Sequence, residues 1–275
     1  MTATLRLTAF VPPWPFVLAE RLGLHQAEGI EVVLSPTASS PEQLRRLLDQ
    51  DVDLAVTAID NLFIWNRDGA NVGAAAVVEK TTPLRVVARP GFTALEQLRG
   101  ARLGVDAPEN GFVIALRHML SQAGVADYRM VESGGVRSRF DELLAAAIDA
   151  TLLGPPFDAM ALQAGMVQLA DVTTRWPQFP GQGLVVRRER LGELGPSLDA
   201  LLRAWRSALH WARAAGDDAL VAAAGEGAPS AAVLRAALPA RLEPDLERLN
   251  ILARMRSELG VLPDGAEVED LIAVR

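Results

Sequence analysis

Cysteine is absent from this 275-residue chain, which removes disulfides, zinc sites with thiolate ligands and any cysteine nucleophile. Runs of Lys or Arg are also missing. The 27 basic residues face 34 acidic ones, a formal charge of -7, and such a surface repels a phosphate backbone, so no nucleic-acid partner is expected. Long apolar runs are lacking too. The stretch Leu143 to Leu153 is interrupted by Asp149 and falls short of the roughly 20 residues that cross a bilayer, so the chain is not expected to span a membrane. No GxGxxG, P-loop or HExxH pattern occurs, and His25, His118 and His210 lie far apart. Neither a cofactor nor a metal is therefore expected. The opening residues, Met1 to Phe10, have no basic region followed by an apolar run and a small-residue cleavage site. A receptor working in the periplasm or outside the cytoplasm would have lost its leader, whereas a chain that starts natively at Met1 would be cytoplasmic.

What is present is a repeated alternation of short strands and helices. Half the residues are hydrophobic and 22% are charged, the balance of an ordinary globular chain, with length enough for two lobes of about 100–150 residues each. Leu5 to Phe10 alternates as a strand, Val11-Pro-Pro-Trp14 breaks it, a helix follows from Pro15 to Gly23, and Ile30 to Leu34 is a second strand. That is a βαβ unit. The pattern continues with a helix from Pro41, a strand at Asp53–Thr57, a short helix from Leu62 to Arg67 and buried strands around Val72–Val78 and Leu84–Ala88. After Arg89-Pro-Gly91 it starts afresh: a strand at Arg102–Val105, a helix from Phe112 to Ala123, strands at Tyr128–Val131 and Ala150–Leu153, a helix from Phe157 to Ala164 and a return strand at Gln182–Val186. From Pro196 on the pattern is helical, with Leu198, Leu201, Leu202 and Trp205 on one stripe.

Four passages carry a family resemblance: Phe16–Leu24 with Glu28–Val32, Leu47–Val56, Leu95–Val105 and Ala147–Phe157. In order and spacing the chain resembles the type II periplasmic binding proteins, in the branch of ABC-transporter substrate-binding proteins for aliphatic sulfonates, taurine, nitrate and thiamine-pyrimidine precursors. The resemblance implies a two-lobed α/β fold of the periplasmic-binding-protein type II class with a C-terminal helical extension. Lobe 1 is expected over 1–88, with the helices of 187–275 returning to it, and lobe 2 over 89–186. It also implies a solute-binding protein that closes by a hinge around a small organic ligand and hands it to an ABC permease for transport.

Carried over residue by residue, the resemblance places Trp14 on the first cleft loop, where it would stack on a planar ligand or pack the lobe. Ser39 stands where a hydroxyl is common, and helix capping competes for it. Asp60 and Asn61 follow a strand at a position that often meets ligand, with Asp60 the main specificity candidate unless it merely caps the next helix. Glu79 ends a strand and either enters the cleft or pairs with Lys80 on its rim. In the second lobe Asn110, Gly111 and Phe112 precede a helix, Gly135 lies in a flexible turn, and Pro156 and Phe157 form a cleft edge. No Arg falls on these positions while Asp60, Glu79 and Glu109 do. A heteroaromatic or amine-bearing ligand therefore fits better than a sulfonate or nitrate.

The same fold serves enzymes. Thiamine-pyrimidine synthase and the aromatic sulfinate desulfinase depend on cysteine, which this chain lacks. A cytoplasmic, cofactor-free lyase resembling chorismate dehydratase is the catalytic alternative, with Asp60, Glu79 or Glu109 as base. A ligand-sensing regulatory domain has no recognisable DNA-binding segment to support it.

Overall fold

The structure is a computed structural model and describes residues 2–273. The chain builds the first part of one lobe with β1 (Ala3–Ala9), α1 (Trp14–Arg21), α2 (Leu24–Ala27), β2 (Ile30–Pro36), α3 (Ser40–Leu48), β3 (Leu54–Ala58), α4 (Asn61–Arg67) and β4 (Val72–Val77). Leu5, Leu7 and Ala9 of β1 are buried in its core, while β3 is buried over most of its length, as suits a strand covered on both faces. It then crosses and builds the other lobe from β5 (Arg85–Ala88), β6 (Arg102–Val105), α5 (Val113–Gln122), β7 (Arg129–Glu132), α6 (Val136–Leu144), β8 (Ala150–Leu153), α7 (Phe157–Gln163), β9 (Val167–Asp171) and α8 (Val172–Arg175). It returns through β10 (Gln182–Arg187) and ends in α9 (Leu191–Ala214), α10 (Asp217–Ala224), α11 (Ala231–Ala237) and α12 (Leu246–Glu258).

Two five-stranded mixed sheets result, in the orders β2-β1-β3-β10-β4 and β7-β6-β8-β5-β9. They follow one plan. Three parallel strands are joined by an antiparallel fourth that has just crossed from the other lobe: β10 enters the first sheet and β5 the second. An ion pair is repeated as well. Arg6 holds Asp53 through its backbone N–H and its guanidinium at 2.7–3.0 Å, and Arg102 holds Asp149 in the same way at 2.7–3.0 Å, with a sequence separation of 47 residues in both lobes. The hydrogen bonds from Arg102 hold the Asp149 carboxyl well below the usual carboxylate range.

This pairing shifts the expected lobe boundaries. The sequence reading put Leu84–Ala88 in the first lobe and Gln182–Val186 in the second, but β5 pairs with β8 and β9 in the second sheet and β10 with β3 and β4 in the first. The crossings are therefore 78–84 and 176–181. The composition change at Arg89-Pro-Gly91 marks the end of a strand, whereas the crossing falls in the irregular stretch before it. The C-terminal helices also divide their labour. The apolar stripe of α9, from Leu198 through Trp205 to Ala212, covers the first lobe. Leu249, Leu252 and Met255 of α12 share one core with Leu62 and Phe63 of α4 and with Ile114, Ala115 and Met119 of α5. The last long helix thus spans both lobes instead of bracing the first alone.

Candidate functional site

The two sheets point the loops after their parallel strands at each other. From the first lobe come the ends of β1, β2 and β3; from the second come the ends of β6, β7 and β8. Strand-end loops and helix N-termini are where free backbone N–H groups converge, the usual place for a ligand in open α/β sheets.

Asp60 follows β3. Its side chain makes no capping bond to α4 and instead meets Arg256 of α12, with Nε donating to Oδ1 at 2.8 Å and Nη2 to Oδ2 at 2.6 Å. Both side chains are fully excluded from solvent. Burial pushes the Asp60 carboxyl up, and the charge and hydrogen bonds of Arg256 oppose that push. Arg256 Nη2 also donates to the carbonyl of Glu109 at 2.7 Å, so one guanidinium ties the β3–α4 loop of one lobe to the β6–α5 loop of the other. Its Cζ stands 5.4 Å from the ring centre of Phe63, a cation–π distance. The neighbouring Asn61 makes a parallel tie: Nδ2 donates to Thr57 Oγ1 at 2.7 Å, and Oδ1 accepts from the backbone N–H of Gly111. Gly111 has φ of +66°, a left-handed conformation that glycine adopts without strain.

A second junction lies at α3. Ser39 caps the helix, its hydroxyl accepting from Glu42 N–H at 3.2 Å, while Ser40 N–H and its hydroxyl donate to the carboxylate of Asp106 from the opposite lobe, the former at 3.0 Å. Gly135 N–H donates to the carbonyl of Ala38 at 2.8 Å. The approach is close: a Cβ on Gly135 would lie 2.9 Å from the ring of Phe10 and 3.0 Å from the Ala38 carbonyl.

Of the residues proposed from sequence, Ser39, Asp60, Asn61, Gly111 and Gly135 are thus brought to the facing loops. Glu79 turns inward at the first crossing, where Thr82 and the backbone N–H of Gln182 donate to its carboxylate, the latter at 3.0 Å. Asn110 is half-buried and its Oδ1 has no hydrogen-bond partner among the described residues. Phe112 packs edge-on against Phe179, ring centres 5.1 Å apart. Trp14 is half-buried against the core of the first lobe. Pro156 opens α7 after a cis Pro155–Pro156 bond and is exposed, and Phe157 lies against Phe140 with ring centres 5.5 Å apart. None of the predicted positions is an arginine, yet guanidinium groups reach the facing loops from helices: Arg256 of α12 donates to the Glu109 carbonyl and Arg139 of α6 to the Gly134 carbonyl. Sequence reasoning also passed over Phe10, Ala38 and Asp106. The signal for Arg256 was present, because it stands four residues after Leu252 and seven after Leu249, on the apolar face of its helix.

Residues 14–219 match the family model described as NMT1/THI5 like. No curated protein sequence matches the chain. Among solved structures, it is similar to the product of the conserved gene CA3427 of Candida albicans, described as having the generic periplasmic binding protein fold, at 15% identity and TM-score 0.80 over 98% of this chain and 94% of that one. The alkanesulfonate-binding protein SsuA of Xanthomonas axonopodis pv. citri, bound to MOPS, is similar at 18% identity and TM-score 0.77 over 98% of each chain. The periplasmic nitrate-binding protein NrtA of Synechocystis PCC 6803 follows at 13% identity and TM-score 0.68, over 98% of this chain and 69% of that one. The fold is that of the type II periplasmic binding proteins.

Proposed function

The chain belongs to the NMT1/THI5-like family, and from that premise we propose that it is a solute-binding protein that closes its two lobes around one small organic ligand as the substrate-binding component of an ABC importer. The observation that carries this reading is the pair of junctions between strand-end loops of opposite lobes: Ala38 with Gly135, and Asn61 with Gly111. A ligand held between such loops stabilises the closed arrangement by touching both lobes at once, and its preference for closed over open sets its affinity. We read the ligand as amine-bearing or heteroaromatic. Asp60 lends that reading little, because Arg256 already compensates its charge. The support comes from Asp106 on the facing loop, with the Phe10 ring beside Gly135.

The lyase reading finds no specific observation in its favour. Asp60 is tied to Arg256, Glu79 accepts from Thr82 and Gln182, and Glu109 pairs with Arg67 at 3.1 Å, so each proposed base is engaged within the protein. The test is a thermal-shift screen of sulfonates, nitrate, aminopyrimidines, aromatic acids and polyamines, with product analysis on every hit. Recovery of unchanged ligand with a concentration-dependent rise in Tm is the expected result. Conversion of the hit to a new product would replace the receptor with an enzyme.

A further inference from the structure

The N-terminus of α3 is a helix end facing the opposite lobe, and its donors can be counted. Pro41 has no N–H. Glu42 N–H is taken by Ser39 Oγ at 3.2 Å, and Ser39 N–H reaches Thr37 Oγ1 at 3.4 Å. The remaining donors, the N–H and hydroxyl of Ser40, both go to the Asp106 carboxylate, which crosses from the end of β6 to reach them. Ser40 is buried, so this carboxylate sits where the helix dipole and the unpaired N–H would otherwise attract an anion. Arg139 lies in the same neighbourhood: burial pushes its guanidinium pKa down and the charge of Asp106 opposes that push, while Nη1 donates to the Gly134 carbonyl at 2.8 Å and Nε has no hydrogen-bond partner among the described residues.

We propose that Asp106 is a specificity residue of the cleft: it fills the oxyanion position at the α3 N-terminus from the opposite lobe and so excludes sulfonates, nitrate and similar anions. The inference rests on the reading of the facing loops as the ligand site. A carboxylate has about four acceptor positions, and Ser40 uses only part of them. What remains is offered to the ligand as an acceptor, so the matching ligand brings N–H groups or a cation to this point. An incoming sulfonate would have to displace Asp106, leave that carboxylate half-buried beside its own charge, and break a tie between the lobes. Each of these costs weakens anion binding.

Methanesulfonate, titrated calorimetrically at low ionic strength against wild type, Asp106→Asn and Asp106→Ala, is the direct probe. Wild type is expected to show no saturable heat at millimolar concentration. Asp106→Ala, which frees the Ser40 donors and removes the negative charge beside them, is expected to bind at least tenfold more tightly than wild type, with the isosteric Asp106→Asn between the two. Asp106→Asn also guards against loss of fold, since its side-chain carbonyl can still accept from Ser40. Saturable binding by wild type equal to that of the variants, or no gain in either variant, would overturn the assignment. The clamp itself is judged separately: an amine or heteroaromatic hit from the ligand screen, alongside no gain of methanesulfonate, rejects the role of Asp106 and leaves the receptor standing.

Discussion

Asp60 and Arg256 place two opposite charges in a site closed to water, 196 residues apart in sequence and 2.6 Å apart in space. Such a pair adds little net stability, because desolvation offsets attraction, but removing one partner leaves the other uncompensated at a cost of about 3–5 kcal/mol. Arg256→Met is therefore expected to lose about that much at pH 7, read from urea denaturation. Asp60→Asn with Arg256→Met should lose clearly less, since the buried charge is gone along with its partner. The pH dependence has a definite sign. Burial already raises Asp60, and without Arg256 only the smaller effect of the Arg117 charge opposes the shift. A carboxyl whose folded pKa lies above its unfolded value stabilises the fold at low pH and loses that contribution as pH rises through the folded value. The deficit of Arg256→Met should accordingly shrink from pH 7 toward pH 5, and a constant deficit would show that Asp60 is not the group left unpaired.

At the scale of elements, the loop before α6 must pass close to the loop before α3. Gly135 allows it, because any Cβ there would press on Phe10 and Ala38 of the other lobe. The contact exists only when the lobes meet, so Gly135→Ala should leave the stability of each lobe nearly intact while weakening ligand affinity by about tenfold, equivalent to about 1.4 kcal/mol. Calorimetric titration with the screen's best ligand, beside a denaturation curve, checks both halves of the expectation. Elements of this kind were legible to different degrees. The βαβ runs were readable because β1 alternates and the helices carry apolar stripes, and the turn around Gly135 stood out by its glycines. The edge strand β9 is not legible in the sequence, since Val167 to Asp171 is only partly buried and shows no alternation. The sequence puts the start of α9 near Pro196, which looks like a first helical residue, whereas the helix begins at Leu191 and Pro196 lies within its first two turns. Contacts such as Ser40 with Asp106 depend on how two lobes meet, which local periodicity does not encode.

For the whole molecule, the two sheets of like order, each completed by a strand from across the crossings, make the lobes similar bodies joined by two short segments. One face of that joint is packed, with α4, α5 and α12 in a common core; the other is held by hydrogen bonds between loops. Motion about the joint would separate the hydrogen-bonded loops at far smaller cost than the shared core, so the opening is expected on the side of Ala38, Asp106 and Gly135. Small-angle scattering, with and without the ligand found by screening, decides whether the two lobes close on it. A ligand binding at one site per chain is expected to reduce the radius of gyration, and ligand-free Gly135→Ala is expected to be more extended than ligand-free wild type. A ligand that saturates the protein while leaving both scattering profiles unchanged would contradict the clamp.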